Sequence, residues 1–206
     1  MPDMKLSTLA LLLGLLVAVL NGFGVWRPLA FAAAARKFPR YTPLGVVLTL
    51  LATLWFLYYV SVEPAADFTS FKPALYILFG AVGVGTCIFV QDFLPVRGLA
   101  ALFLLLAKLM VDTARWVDTD WRLVIATWAY LLVIAGMWFT ISPWRLRDLI
   151  LWSTASQRRT RLFCGARLAF GLFVILLGLT VFKTAEHKAA TTADASIPCL
   201  TFSRLA

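Results

Sequence analysis

The stretch AKLMVDTARWVDTDWR, residues 107–122, decides how this chain folds. It separates two long apolar runs and gathers Lys108, Asp112, Arg115, Asp118, Asp120 and Arg122 within sixteen positions. Two readings compete. Either the six charges form a polar site inside a membrane, or they mark where one helix surfaces and the next begins.

The surrounding composition makes a membrane the relevant solvent. Of the 206 residues, 62% are hydrophobic and 14% charged, against roughly 45–50% and about 25% in soluble domains. A soluble fold of this size could not hide that much apolar surface, because small domains leave much of their surface exposed. The excess points to lipid. The expected class is therefore an all-α integral membrane protein, with about six transmembrane helices joined by short loops.

A membrane span needs about 20 predominantly apolar residues. Segments near 6–25, 44–62, 73–90, 97–116, 121–141 and 162–182 meet that length. Residues 1–182 then make one six-span bundle, and 183–206 a C-terminal tail. The start, with Lys5, an apolar core and AFA at 30–32, also has features of a cleavable signal. Arg27 in the cleavage region and the spanning length of the run favour an uncleaved first helix.

Orientation is read from the connections. The first, WRPLAFAAAARKFPR, carries Arg27, Arg36, Lys37 and Arg40 and no acid. The third, QDFLPVRG, has Arg97 and Asp92, and the fifth, SPWRLRDLILWSTASQRRTR, has five arginines against Asp148. The second has Glu63 and Asp67 against Lys72, and the fourth is the mixed stretch quoted above. Basic loops stay cytoplasmic. The odd-numbered connections are thus expected inside a bacterial inner membrane, with both termini and the tail periplasmic.

The fifth connection has Leu146, Leu149, Ile150 and Trp152 at near-helical spacing among Arg145, Arg147 and Asp148. This predicts a basic amphipathic segment lying in the interface before the last helix. Arg36, Lys37, Arg40, Arg145, Arg147, Arg158, Arg159 and Arg161 are the candidate contacts to anionic lipid. The first and fifth connections share a design: Trp-Arg beside a proline, a helix-compatible run, then a basic cluster. That pattern fits either a parallel repeat or shared interfacial chemistry.

Within residues 107–122, lengths sharpen the choice. Gly98 to Val111 is 14 residues, or about 21 Å of helix. Either this span is short, or it runs on to about Trp116 with Lys108 and Asp112 inside it. Four residues apart, those two share a helical face and can pair, and Arg115 can compete for Asp112. Lys108, Asp112 and Arg115 form the candidate intramembrane polar site. The reading favours the plainer account, in which Lys108 snorkels, Trp116 and Trp121 mark the interface, and Asp118 or Asp120 caps the next helix. For Asp92 and Arg97 a surface ion pair is expected rather than catalysis.

Several chemistries have no support. One histidine, His187, and three scattered cysteines, Cys87, Cys164 and Cys199, leave no ligand set for haem, an iron–sulfur cluster or a metal. No cofactor is expected and no catalytic residue is assigned. The net charge of +9 is spread over loops rather than along one stripe, so nucleic acid is not an expected partner. Small residues (Gly45, Thr49 and Thr53; Ala81 and Gly85; Gly165 and Ala169; Gly171 and Gly178) suggest close helix packing. The tail patch IPCLTF, 197–202, reads as part of a flexible end or as a docking segment.

The expected partners are membrane lipids and other membrane subunits. The leading expectation is a non-catalytic accessory or scaffold subunit of a larger membrane complex. Two alternatives stand beside it: a small transporter or channel component with Lys108, Asp112 and Arg115 on the path, and a lipid-modifying enzyme using Asp118 and Asp120.

Overall fold

A computed structural model describes residues 5–62, 71–90, 92–115, 117, 119–185, 188 and 191. Its elements are α1 (Leu6–Trp26), α2 (Pro28–Lys37), α3 (Thr42–Val62), α4 (Lys72–Phe89), α5 (Leu94–Ala114), α6 (Arg122–Ile141), α7 (Trp144–Ser153) and α8 (Gln157–Leu177). A 3-10 turn, Phe38–Arg40, links α2 to α3. A π-helical turn, Gly178–Phe182, extends α8. Among the described residues there is no strand. Six of the helices (α1, α3, α4, α5, α6 and α8) are long and apolar enough to span a membrane.

Proline places many of the helix starts. Pro28, Pro43, Pro73 and Pro95 stand in the first two positions of α2, α3, α4 and α5, and Pro143 immediately precedes α7. There the missing N–H is harmless and the fixed φ suits a helix. The turn into α5 bends at Phe93, whose φ of 54° is left-handed, a conformation costing roughly 1–2 kcal/mol for an L-residue. Its ring is held in a small core with Val96, Ala100, Phe139 and Leu146, which offsets the strain.

Two helix ends bear on function. α5 runs unbroken to Ala114, so the longer form of the fourth span is the one adopted, and Lys108 and Asp112 lie within the helix. α8 begins at Gln157 rather than near 162, which puts Arg158, Arg159 and Arg161 on its first turns. The same helix continues to Ala185, three residues into the expected tail.

Close approaches at glycine define the bundle. α1 and α8 run antiparallel. A Cβ on Gly14 would stand 2.9 Å from the Gly171 carbonyl oxygen, Gly24 meets Cys164, and Gly178 meets Ser7 and Ala10. α3 and α5 run parallel, Gly45 against Pro95 and Gly98 against Thr49. α6 lies antiparallel to α5 through Gly136, which meets Leu104 and Ala100. α4 packs chiefly on α3, where Gly83 receives Thr53. Where lipid surrounds a bundle, helices gain little from apolar burial, so such contacts supply the cohesion.

The expected small-residue rows are sorted by this packing. Gly45 and Thr49, and Gly171 and Gly178, do face neighbouring helices. Gly165 meets nothing within 4 Å and Ala169 is exposed. On α4 the packed glycine is Gly83, while Ala81 is exposed.

The main core joins four helices in the half of the bundle nearer the chain ends. It contains Leu6, Leu9 and Leu13 of α1, Ala107 and Met110 of α5, Ile125 and Ala129 of α6, and Val174 and Leu177 of α8. The π turn carries Phe182 fully into this core. Aromatic edges tie α6 to α8, Trp128 on Phe170 at 5.1 Å and Trp121 on Phe173 at 6.5 Å.

Candidate functional site

Two places hold the polar chemistry, one at each end of the bundle. The first is the end where the first, third and fifth connections lie together. Each of α2 and α7, ten residues long, joins two of the long helices at this end. They touch one another, and Leu146 and Ile150 of α7 pack inward with Phe38 and Phe93.

The bond that joins them is specific. Arg36, in the last turn of α2, donates Nε–H to the hydroxyl of Thr154 at 3.0 Å and Nη2–H to the Thr154 carbonyl. Thr154 caps the end of α7 and is buried. Its own hydroxyl donates back to Ile150 O at 2.7 Å. One guanidinium therefore bridges the first and fifth connections.

The charge at this end is strongly one-sided. Of the chain's 19 basic and 10 acidic residues, ten basic ones (Arg27, Arg36, Lys37, Arg40, Arg97, Arg145, Arg147, Arg158, Arg159 and Arg161) lie here with only Asp92 and Asp148. That surplus of eight is nearly the whole net charge of +9. Arg147 is engaged by the neighbouring Asp148, through Nε at 3.2 Å and Nη2 at 3.1 Å. Arg36 is engaged by Thr154. Lys37, Arg40, Arg145, Arg158, Arg159 and Arg161 remain exposed. Asp92 and Arg97 are also exposed, but they form no ion pair with each other.

Helix polarity treats these cations unequally. Arg36 and Lys37 sit in the last turn of α2, where the helix dipole favours positive charge. Arg158, Arg159 and Arg161 sit in the first turns of α8, where it opposes them, with no acid in that turn and no side-chain cap. Exposed apolar side chains accompany the charges: Trp26, Leu29, Trp144, Leu149 and Trp152. The apolar residues of α7 are divided: Leu146 and Ile150 turn in while Leu149 and Trp152 are exposed.

The second place is at the opposite end, between α3 and α5. Lys108 Nζ lies 2.8 Å from Asp112 Oδ2, with both side chains about two-fifths exposed. The same ammonium sits 4.8 Å above the ring centroid of Tyr59, near the end of α3. Tyr59 is buried and stacks on Trp55 at 6.4 Å. Its hydroxyl is within electrostatic reach of Lys108 and Asp112 and close to the Trp55 indole. It forms no well-shaped hydrogen bond among the described residues.

Arg115 is exposed one residue beyond α5 and is not part of this contact. Of Asp118 and Asp120, the two candidate caps of α6, Asp120 is exposed, and the N-cap position is Trp121, which makes no side-chain cap bond. Asp118, Trp116, Glu63, Asp67, His187, Cys199 and the tail patch lie outside the described residues. Among the described residues no three His, Cys, Asp or Glu side chains converge.

Most other polar side chains within the long helices satisfy themselves locally. Asn21 donates to Val17 O, and Thr53, Thr86, Thr113, Thr140 and Thr180 each donate to the carbonyl four residues earlier. Thr49 and Tyr59 have buried hydroxyls that form no well-shaped hydrogen bond among the described residues.

Sequence reasoning passed over Tyr59 and Thr154. The i, i+4 spacing of Trp55 and Tyr59 was a usable sign of a stacked pair. Thr154 had none, because its partner is 118 positions away. No family model, no curated protein and no solved structure matches this chain.

Proposed function

We propose that this chain is a multi-pass protein of a bacterial inner membrane and serves as a non-catalytic accessory or scaffold subunit of a larger membrane complex. One observation supports the subunit reading above others: α4 leans on α3 and leaves nearly all of its remaining surface open. Ile77, Leu78, Val82, Val84, Ile88 and Phe89 are exposed, and Gly80 meets nothing within 4 Å. The other five long helices interlock. A helix held on one side only, with backbone accessible at a glycine, suits packing against a helix from another chain.

In the proposed orientation the end with the basic surplus faces the cytoplasm, and both termini face the periplasm. The test is the mass of the gently solubilised particle and the identity of the chains that purify with it. A stoichiometric partner that is lost when Gly80 is changed to Ile supports the reading. A particle holding one copy of this chain, lipid and detergent overturns it.

A second reading, a transport component, draws on the Lys108–Asp112 pair beside the buried Tyr59. Ionisable groups within a span are functional candidates by default. It predicts that flux, not assembly, fails when the pair is removed.

A further inference from the structure

The basic end does more than record orientation. We propose that α2, α7 and the first turns of α8 form one binding platform for the phosphate headgroups of anionic phospholipid, shaped by the Arg36–Thr154 bridge. This rests on the membrane reading above.

Three observations carry it. First, the surplus cations converge from three elements that are distant in sequence, because α2 and α7 meet at the bridge. Second, Arg158, Arg159 and Arg161 stand exposed where the α8 dipole opposes them, without an acid in that turn. A phosphate beside them would relieve both the mutual repulsion and the unfavourable dipole. Third, Leu29 on α2 and Trp144 and Trp152 on α7 are exposed, as is Trp26 at the end of α1. Interleaved cations and indoles on short helices that join the ends of spans suit the headgroup layer, where the ring enters the acyl boundary and the charge meets phosphate. An acidic soluble protein would meet the cations but gain little from this apolar edge.

Arg36 acts here as a positioning residue rather than a phosphate ligand, since its guanidinium is directed at Thr154. Lys37, Arg40, Arg145, Arg158, Arg159 and Arg161 provide the contacts.

The experiment is thermal unfolding of the delipidated full chain in a neutral detergent, titrated with phosphatidylglycerol, phosphatidylcholine, glycerol 3-phosphate or polyglutamate. Phosphatidylglycerol should raise the midpoint by several degrees, with a shift that shrinks as salt rises. The other three should leave it nearly unchanged. Neutralising Arg158, Arg159 and Arg161 together to Gln should raise the phosphatidylglycerol concentration needed for a given shift roughly fivefold for each charge removed. The corresponding triple Lys variant keeps the charge and should retain most of it. Arg36→Gln should weaken the phosphatidylglycerol response although it removes no contact.

Equal shifts from the two lipids, or an unchanged response in a folded triple Gln variant, would overturn the proposal. A larger shift with polyglutamate would replace lipid by an acidic protein, and one with glycerol 3-phosphate would replace it by a soluble phosphate. Should the Gln variant not fold, the Lys variant and the salt dependence of the wild type still decide. Particle mass separates this test from that of the subunit reading: a lone chain that answers to phosphatidylglycerol defeats only the latter.

Discussion

Arg36 and Thr154, 118 residues apart, are joined by two hydrogen bonds from one guanidinium, and this bridge holds the two short helices of the bundle's basic end together. Thr154 presents both its hydroxyl and its carbonyl, which suits the fork of an arginine and not the single point of a lysine. The connections that it links both follow a Trp-Arg pair and lie at one end. The shared design seen in the sequence therefore has a physical counterpart, since the two connections brace each other.

Arg36→Gln should lower stability in detergent by about 1 kcal/mol, a value near the lower end for bonds to a charged group because the arginine is partly solvated. Arg36→Lys should recover little of it. Thr154→Val keeps the volume and the carbonyl acceptor, so its effect should be smaller. Thermal unfolding of the three variants checks the order. A Lys variant indistinguishable from wild type would show that charge alone suffices.

Substitution at glycine should separate packed from open positions. At Gly171 a Cβ would lie 3.0 Å from the Gly14 carbonyl oxygen and 3.1 Å from the Ala18 nitrogen, both backbone atoms that cannot turn aside. Gly171→Ala should cost about 1–3 kcal/mol by forcing α1 and α8 apart. Gly165 has open space, so Gly165→Ala should be neutral or stabilising by up to about 1 kcal/mol, through helix propensity. Equal effects at the two sites would refute the α1–α8 seam.

The Lys108–Asp112 pair is partly exposed, so values for surface pairs apply. Lys108→Met should cost about 1 kcal/mol, combining a modest ion pair with the loss of its contact to the Tyr59 ring. Asp112→Asn should cost less, and the double mutant should show a coupling of about 0.5 kcal/mol. Losses of roughly 3–5 kcal/mol in both single variants, rescued in the double, would instead mean that the pair is fully desolvated.

Tyr59→Phe tests the buried hydroxyl. Since that group makes no well-shaped hydrogen bond among the described residues, its removal should leave stability unchanged or raise it. Tyr59→Ala should cost about 3–5 kcal/mol, because the ring fills space against Trp55 and under Lys108. A loss from Tyr59→Phe comparable to that from Tyr59→Ala would show that the hydroxyl holds a partner.

Topology is checked with single cysteines in a variant lacking the native three. A probe that cannot cross the membrane, applied to intact cells, should label Thr119→Cys and spare Ser156→Cys. The expectation follows from the eight-charge surplus at the end that contains Ser156. Labelling at Ser156→Cys alone would invert the arrangement.

The sequence by itself determined the helices and where much of the charge would fall. Apolar runs of spanning length, prolines at the starts of α2 to α5, and a basic surplus concentrated in alternate connections are properties of consecutive residues. Each acts within a turn or two of chain. Even where a bound shifted, as in α8, which begins at Gln157 rather than near 162, the change is little more than one turn of an expected helix.

Tertiary structure alone decided which face of each helix meets another. In a helix apolar all round, no hydrophobic stripe marks the inward side, so rotation about the axis is invisible in the pattern. The sequence therefore suggested Gly171 and Gly178 correctly but also Ala81 with Gly85 and Gly165 with Ala169 as seams, while packing uses Gly83 and Gly14. For the same reason Lys108 and Asp112 could be paired from their spacing, yet the Tyr59 ring beneath the ammonium belongs to another helix and became visible only when α3 and α5 came together. Arg36 could be counted as a basic residue at the end of a helix. That it spends its guanidinium on Thr154 depends on the meeting of two connections, and no local pattern encodes that contact.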